Sequence, residues 1–213
     1  MLMCMVFSGG HASGGHYNPA VTFAVFLTGR DKSLHLVTML GYWVSQIFGG
    51  VFAGLTGYGL THDVGVIPSY KNQADGASCN SLCNGQAFGA EFLFTFALCY
   101  TVLNCAVSKS NIRDNSFFGL AIGFLVLSAA IAAGPISGAV FNPAVATGLF
   151  ISNYLVGGTG YTSYWYIYYI SEFLAAFAAA LVFVVMHAQE YVDDDKAVLD
   201  SDLNTGLLSV EYK

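Results

Sequence analysis

Hydrophobic residues in this chain come in long runs rather than in alternation. Leu34 to Leu60 carries no charge apart from His35, and Gln86 to Val107 is interrupted only by Glu91. Ser116 to Ser152 is uncharged throughout, and Tyr164 to Ala188 holds the single acid Glu172. A helix needs about 20 apolar residues to cross a hydrocarbon layer of about 30 Å, so each run is long enough to span. The third run is too long for one crossing. Its first part, Ser116 to Ala133, makes a span; Gly134-Pro135 is expected to break it, and Asn142-Pro143-Ala144 to start a short helix that stops partway across. Met1 to Phe7 is apolar but too short to span. It has no charged lead and no small-residue cleavage site, so it reads as the stump of a helix and not as a signal peptide.

Composition supports a lipid-facing chain. Only 9% of the residues are charged and 55% are hydrophobic, whereas soluble domains carry roughly 25% charged residues. The charges gather in short connecting segments. If the loops at Arg30/Lys32 and Lys109/Arg113 and the tail share the cytosolic side, only Lys71 lies outside, as the positive-inside rule requires. Residues 1–188 then form one membrane domain, with a first repeat at 1–60 and a second at 86–188. Residues 189–213 are expected to be a solvated, acidic cytosolic tail, rich in Asp193, Asp194 and Asp195. With no basic patch to neutralise phosphates, nucleic acid is excluded as a partner. Cys79 and Cys83 could pair if their loop faces an oxidising compartment; Cys4, Cys99 and Cys105 read as small packing residues. No His/Cys metal spacing and no nucleophile–base constellation occur, so neither a metal, a cofactor nor an enzyme is expected.

The chain also matches itself. Ser13 to Val21 aligns with Ser137 to Val145, with Ser, Gly, Asn, Pro, Ala and Val shared, and Tyr42 to Gly50 resembles Tyr168 to Ala176. Two copies with an odd number of crossings each are inverted in the membrane. Within each copy, Asn18-Pro19-Ala20 and Asn142-Pro143-Ala144 have the chemistry of a helix start. Asn caps, Pro suits the first turn and Ala permits close approach. Two such half-helices entering from opposite sides would meet near the midplane. Each presents a partial positive charge of about half an electron. A water passing there could give its oxygen to Asn18 and Asn142, while the positive ends repel cations and protons.

The paired Asn-Pro-Ala boxes, with His16 two residues before the first, resemble the aquaporins, or major intrinsic proteins, over Met1 to His187. That resemblance implies an all-α membrane protein: a bundle of six tilted helices with two re-entrant half-helices, assembled as a homotetramer with one pore per subunit. It implies a passive lane for water through a multi-pass protein of the plasma membrane or a vacuole-type membrane. It also implies that Glu91, at the start of the fourth helix, is a buried carboxylate that orients re-entrant loop backbone. His16 is expected to support the first loop by packing beside its half-helix, the alternative being a gating titration near neutral pH. The family's outer constriction maps onto Ala130, Ala139 and Val145. Val145 stands where an arginine is usual, which is similar to some vacuolar-type members. The mouth should therefore be wide and apolar, admitting ammonia, urea or peroxide beside water. Ala146 stands where glycerol-type members carry Asp, which ranks glycerol lower.

Against the resemblance, the first span and most of the second are expected to be missing from the front. Glu172 occupies a position where the family often has proline, and the residues leave open whether it binds neighbouring backbone, a Tyr hydroxyl or water. His187 is expected at the interface. Glycine pairs four apart, Gly50/Gly54, Gly119/Gly123 and Gly134/Gly138, suggest close helix crossings. The rival functions are a secondary transporter, which would need a charged pocket at the midplane, and a non-conducting membrane protein.

Overall fold

The computed structural model describes residues 1–62, 81–109, 116–158 and 165–196, and all regular structure among them is helical. Helix α1 covers Leu2–Ser13, α2 Pro19–Thr28, α3 Leu36–Thr61 and α4 Ser81–Val102. Helix α5 covers Phe118–Ser137, α6 Pro143–Leu155 and α7 Trp165–Met186. A further helix, α8, occupies 188–196. Helix α4 continues through one π-helical stretch, Leu103–Val107, before Ser108 ends it in extended backbone.

Among the described residues, four segments are long and apolar enough to cross a membrane: Leu36–Thr61, Asn84–Val107, Phe118–Ser137 and Trp165–Met186. Helices α2 and α6 are not. With 10 and 13 residues they rise about 15 and 20 Å, short of a core about 30 Å thick. Phe48, Phe52, Leu60, Phe124, Ile131 and Val185 all point outward and are exposed. Water would penalise such a surface, whereas hydrocarbon solvates it. The chain is a multi-pass, all-α integral membrane protein.

Small residues dominate the interior. Ala20, Ala24, Ala133, Ala146, Ala175 and Ala176 are fully buried. In lipid no hydrophobic force drives helices together, so close backbone approach has to supply the attraction. The packing is exchanged between the repeats: α6 lies along α3, and α2 lies along α7. Helix α4 packs on α7 and α5, and α1 packs on α5. Where α3 crosses α6, a Cβ on Gly148 would fall 2.3 Å from the Gly50 carbonyl carbon. A Cβ on Gly54 would fall 2.4 Å from Ser152 Oγ, and one on Gly123 2.7 Å from Met3 Cβ. Gly50/Gly54 and Gly119/Gly123 thus sit at close crossings.

Several expectations need correction. Gly134 and Gly138 are no packing pair: a Cβ on Gly134 would meet nothing within 4 Å, and Gly138 is the left-handed end of α5, at φ 89°. Nor does Gly134-Pro135 break the span. Helix α5 runs through Pro135 to Ser137, because a proline in the last turn forfeits only one intrahelical bond and its neighbourhood is exposed. Cys4 is exposed on α1 rather than packed, while Cys99 is buried and Cys105 half-buried. The expected Cys79–Cys83 pair and Lys71 lie outside the described residues.

The acidic segment is not simply a solvated tail. Over 188–196 it is a helix docked on the bundle. Arg30, its side chain 3% exposed, donates to Glu190 Oε2 at 2.6 Å and to Asp194 Oδ2 at 2.9 Å. Its guanidinium lies 4.8 Å from the centre of the Tyr191 ring. Ser108 Oγ donates to Glu190 Oε1 at 2.7 Å, Tyr191 donates to the Thr28 carbonyl at 2.9 Å, and Lys109 pairs with Asp194. The Arg30 loop, the end of α4 and the start of the acidic segment therefore meet at one end of the bundle, the three segments assigned to the same side by charge.

Two outcomes follow from this packing. Gly148→Leu should lower stability by about 1–3 kcal/mol by forcing α6 off α3, whereas Gly57→Ala, with open space around it, should be neutral or slightly stabilising; thermal unfolding in detergent reads the difference. The Lys109 hydrogen bond, with the Lys109 and Arg30 charges, holds the Asp194 carboxyl below its ordinary value of 3.8. The docking that Asp194 adds is therefore fully present above that value and lost as pH falls through the lowered one. The protection of amides over 188–196, relative to intrinsic exchange at each pH, should stay constant from about pH 7 to 5 and fall only below about 4, while Arg30→Gln should lower it already at neutral pH.

Candidate functional site

A half-helix that stops inside the bundle leaves its first N–H groups without partners. Both half-helices solve this identically. Asn18, in extended backbone, accepts the Ala20 N–H on Oδ1 at 2.9 Å, with Pro19 next in the first turn. Asn142 accepts Ala144 N–H at 2.9 Å and Val145 N–H at 3.4 Å. With Oδ1 turned to its own helix, each amide points its Nδ2 at the opposing loop. Asn18 Nδ2 donates to the Phe141 carbonyl at 2.6 Å, and Asn142 Nδ2 donates to the Tyr17 carbonyl at 2.9 Å. The two boxes, 124 residues apart, meet end to end. Ala20 and Ala144 are buried behind them.

The long helices hold the loops by matching bonds. Tyr42 donates to the Ser13 carbonyl at 2.9 Å, and its repeat-mate Tyr168 donates to the Ser137 carbonyl at 2.7 Å. Trp43 Nε1 donates to the Pro19 carbonyl at 3.2 Å, while Tyr169 shares a hydrogen bond with Thr147. Gln46 Nε2 donates to the His16 carbonyl at 2.6 Å and to Thr22 Oγ1 at 2.9 Å. Its repeat-mate Glu172 instead accepts: Oε1 takes the Asn142 N–H at 2.9 Å. This resolves the alternatives for Glu172, which is fully buried.

Glu91, also fully buried, accepts three bonds from the second loop. Ser137 Oγ donates to it at 2.6 Å, Val140 N–H at 3.0 Å and Phe141 N–H at 2.8 Å. That loop is strained, because Ala139 and Phe141 sit at φ 56° and 50°, a region L-residues avoid. The first loop turns at Gly14 and Gly15, at φ 68° and 70°, where glycine carries no such penalty.

Two cavities meet at the boxes. One, of about 230 Å³, is lined mainly by apolar side chains such as Val6, Val21 and Ile122 together with Asn18 and Asn142. The other, of about 410 Å³, is bordered by His16, Gln46, Ser13 and Asn142. Val145 lines both and is 39% exposed. No Asp, Glu, Lys or Arg lines either one among the described residues. Of the other expected constriction residues, Ala139 lies in the strained loop, and Ala130 is exposed on α5; neither borders these cavities. The His16 ring packs on Tyr42 at 5.6 Å, and the His187 ring stacks on Phe183 at 4.3 Å just past the end of α7.

Sequence reasoning missed Gln46 and the two tyrosines as loop holders. The signal was there: Tyr42 aligns with Tyr168, and Gln46 with Glu172, at the same place in both copies. It also missed the Arg30 cluster, because nothing local tells a docked acidic helix from a free one.

The chain matches the family described as Major intrinsic protein over residues 1–183. It is 33% identical over 184 residues to Aquaporin TIP1-1 of Arabidopsis thaliana, covering 86% of this chain and 67% of that one. Against Aquaporin PIP2-7 of Arabidopsis thaliana the identity is 34% over 185 residues, with 84% and 62% covered. Against Nodulin-26 of Glycine max it is 34% over 191 residues, with 87% and 63% covered. The chain spans about two thirds or less of the length of these relatives. A repeat that folds into two opposed, asparagine-capped half-helices and a match running through residue 183 lead to one assignment: the chain belongs to the major intrinsic protein family.

Proposed function

We propose that this chain forms a passive transmembrane channel for water, with small neutral solutes such as ammonia, urea or peroxide as secondary passengers and glycerol last. The observation that carries this reading is the reciprocal hydrogen bond that each capping asparagine donates to the other repeat's loop. A primary amide has two N–H donors. Each asparagine spends one on the opposing loop, Asn18 on Phe141 and Asn142 on Tyr17. The other remains for the oxygen of a passing molecule. Both helix N-termini aim their partial positive charge, about half an electron each, at that same point, which disfavours cations and protons.

Asn18, Pro19, Ala20, Asn142, Pro143 and Ala144 form the narrow centre of the proposed lane. We assign the outer mouth to Ala130, Ala139 and Val145, of which Val145 is the one that lines the two cavities, with Glu91 and His16 behind the loops. Small and apolar residues at the mouth support passage of neutral solutes wider than water. The uncharged lining around the boxes argues against ion-coupled transport, which needs a charged or ion-coordinating pocket. A homotetramer with one lane per subunit belongs to the same reading.

Stopped-flow swelling of vesicles containing the reconstituted chain tests it. Water should pass fastest, without saturation and without an ion requirement; urea and ammonia should follow, and glycerol should come last. Asn142→Asp keeps an oxygen to cap Ala144 but loses the donor to Tyr17. Its proton leak relative to water should rise about tenfold to a hundredfold, the equivalent of one lost buried hydrogen bond. Saturating, ion-coupled uptake would support a transporter instead, and vesicles no more permeable than bare lipid would support a non-conducting role.

A further inference from the structure

We propose that Glu172 is a positioning residue for the second half-helix: its carboxyl grips the backbone N–H of Asn142 and so fixes where that asparagine stands between the two cavities. The grip is independent of the channel reading; its consequence for permeation rests on that reading.

Asn142 is held at three kinds of contact. Its Oδ1 caps α6, its Nδ2 is tied to the Tyr17 carbonyl, and its own N–H is taken by Glu172 Oε1 at 2.9 Å. Three successive amides, at Val140, Phe141 and Asn142, thus end on two carboxyls, the first two on Glu91 and the third on Glu172. The Glu91 and Glu172 carboxyls are close enough to interact. The repeat makes the contrast visible. At the equivalent place in α3, Gln46 donates to a carbonyl and a hydroxyl and does not grip the capping asparagine's amide.

A fully buried acid in a membrane helix is costly unless it is used; here Oε1 is used on the Asn142 amide. The loop leading to it also needs holding. Ala139 and Phe141 are left-handed, and an unanchored Asn142 would let that strain relax by rotating the capping residue, carrying its Nδ2 away from Tyr17.

The test uses the full chain in liposomes, as wild type, Glu172→Gln and Glu172→Leu. Isotope-resolved hydrogen exchange is read at the amides of Val140, Phe141 and Asn142. Gln keeps an acceptor oxygen, so protection at Asn142 should stay within about threefold of wild type. Leu has none, and exchange at Asn142 should speed up by about tenfold to a hundredfold, with Val140 and Phe141 unchanged because Glu91 still holds them. If Leu does not fold, Glu172→Asp replaces it, since one fewer methylene withdraws the carboxyl and should expose the same amide. An Asn142 amide that stays protected without the carboxyl, or all three amides loosening together, would overturn the proposal. Proton leak relative to water is measured in the same vesicles and should rise with Leu but not with Gln. Selective exposure of Asn142 in vesicles that pass no water in any version would uphold the grip and sink the channel reading. Water passage with Asn142 still protected in the Leu chain would do the reverse.

Discussion

Two hydrogen bonds crossing the middle of the bundle, from Asn18 to Phe141 and from Asn142 to Tyr17, constrain nearly everything else. A helix that ends inside a membrane exposes N–H groups where no bulk water can satisfy them. The asparagines satisfy the first of these with Oδ1, but that commits each side chain to one rotamer and aims its amide nitrogen at the other loop. Each loop then offers the carbonyl that the opposite asparagine needs. Neither half can meet this demand alone, so the two copies are obligate partners. The exchanged packing, α2 on α7 and α6 on α3, expresses the same dependence on the scale of whole helices.

Bringing the ends together requires the half-helices to sit very close to the long ones. At the α3–α6 crossing there is no room for even one Cβ on Gly50 or Gly148. On the opposite side, the equivalent positions hold Ala24 and Ala176, both fully buried. Close approach leaves each polar side chain within reach of loop backbone. For that reason Tyr42, Trp43, Gln46, Tyr168 and Glu172 all terminate on carbonyls, hydroxyls or amides of the half-helix segments. Large apolar side chains cover the outside as well as the core, while the polar ones at the loops are turned inward, an order that lipid as solvent favours.

Much of this was legible from residues alone, because the boxes carry local chemistry. Asn before Pro before Ala marks a capped helix start wherever it occurs, and its repetition in two uncharged runs implied opposed half-helices. The four long spans followed from hydropathy. What was hidden depended on distant partners. Pro135 looked like a break, yet α5 carries it through its last turn and stops at Gly138, a boundary set by where the loop must turn toward Glu91. The acidic residues after 188 looked solvated, yet Arg30, 160 residues earlier, draws Glu190 onto the bundle. Glu172 was ambiguous because its partner, the Asn142 amide, is a backbone group, and sequence pattern records side chains.

The two halves reach one geometry by different means, and the difference explains where the buried acids are. The first loop turns at Gly14 and Gly15, whose left-handed backbone is free of strain. It can be held by ordinary neutral bonds from Tyr42 and Gln46. The second loop must turn with Ala139 and Phe141 left-handed, a conformation costing about 1–3 kcal/mol at each residue. Two neutral hydrogen bonds, worth about 1 kcal/mol net each, would barely match that cost, so the second loop needs more of them. The second loop has four bonds to carboxyls, three on Glu91 and one on Glu172. Helices α1, α2 and α3 contain no acid at all. Glycine in one repeat and carboxyls in the other are thus alternative ways of placing a capping asparagine, and a chain that lost Gly14 and Gly15 would need acids in its first half as well.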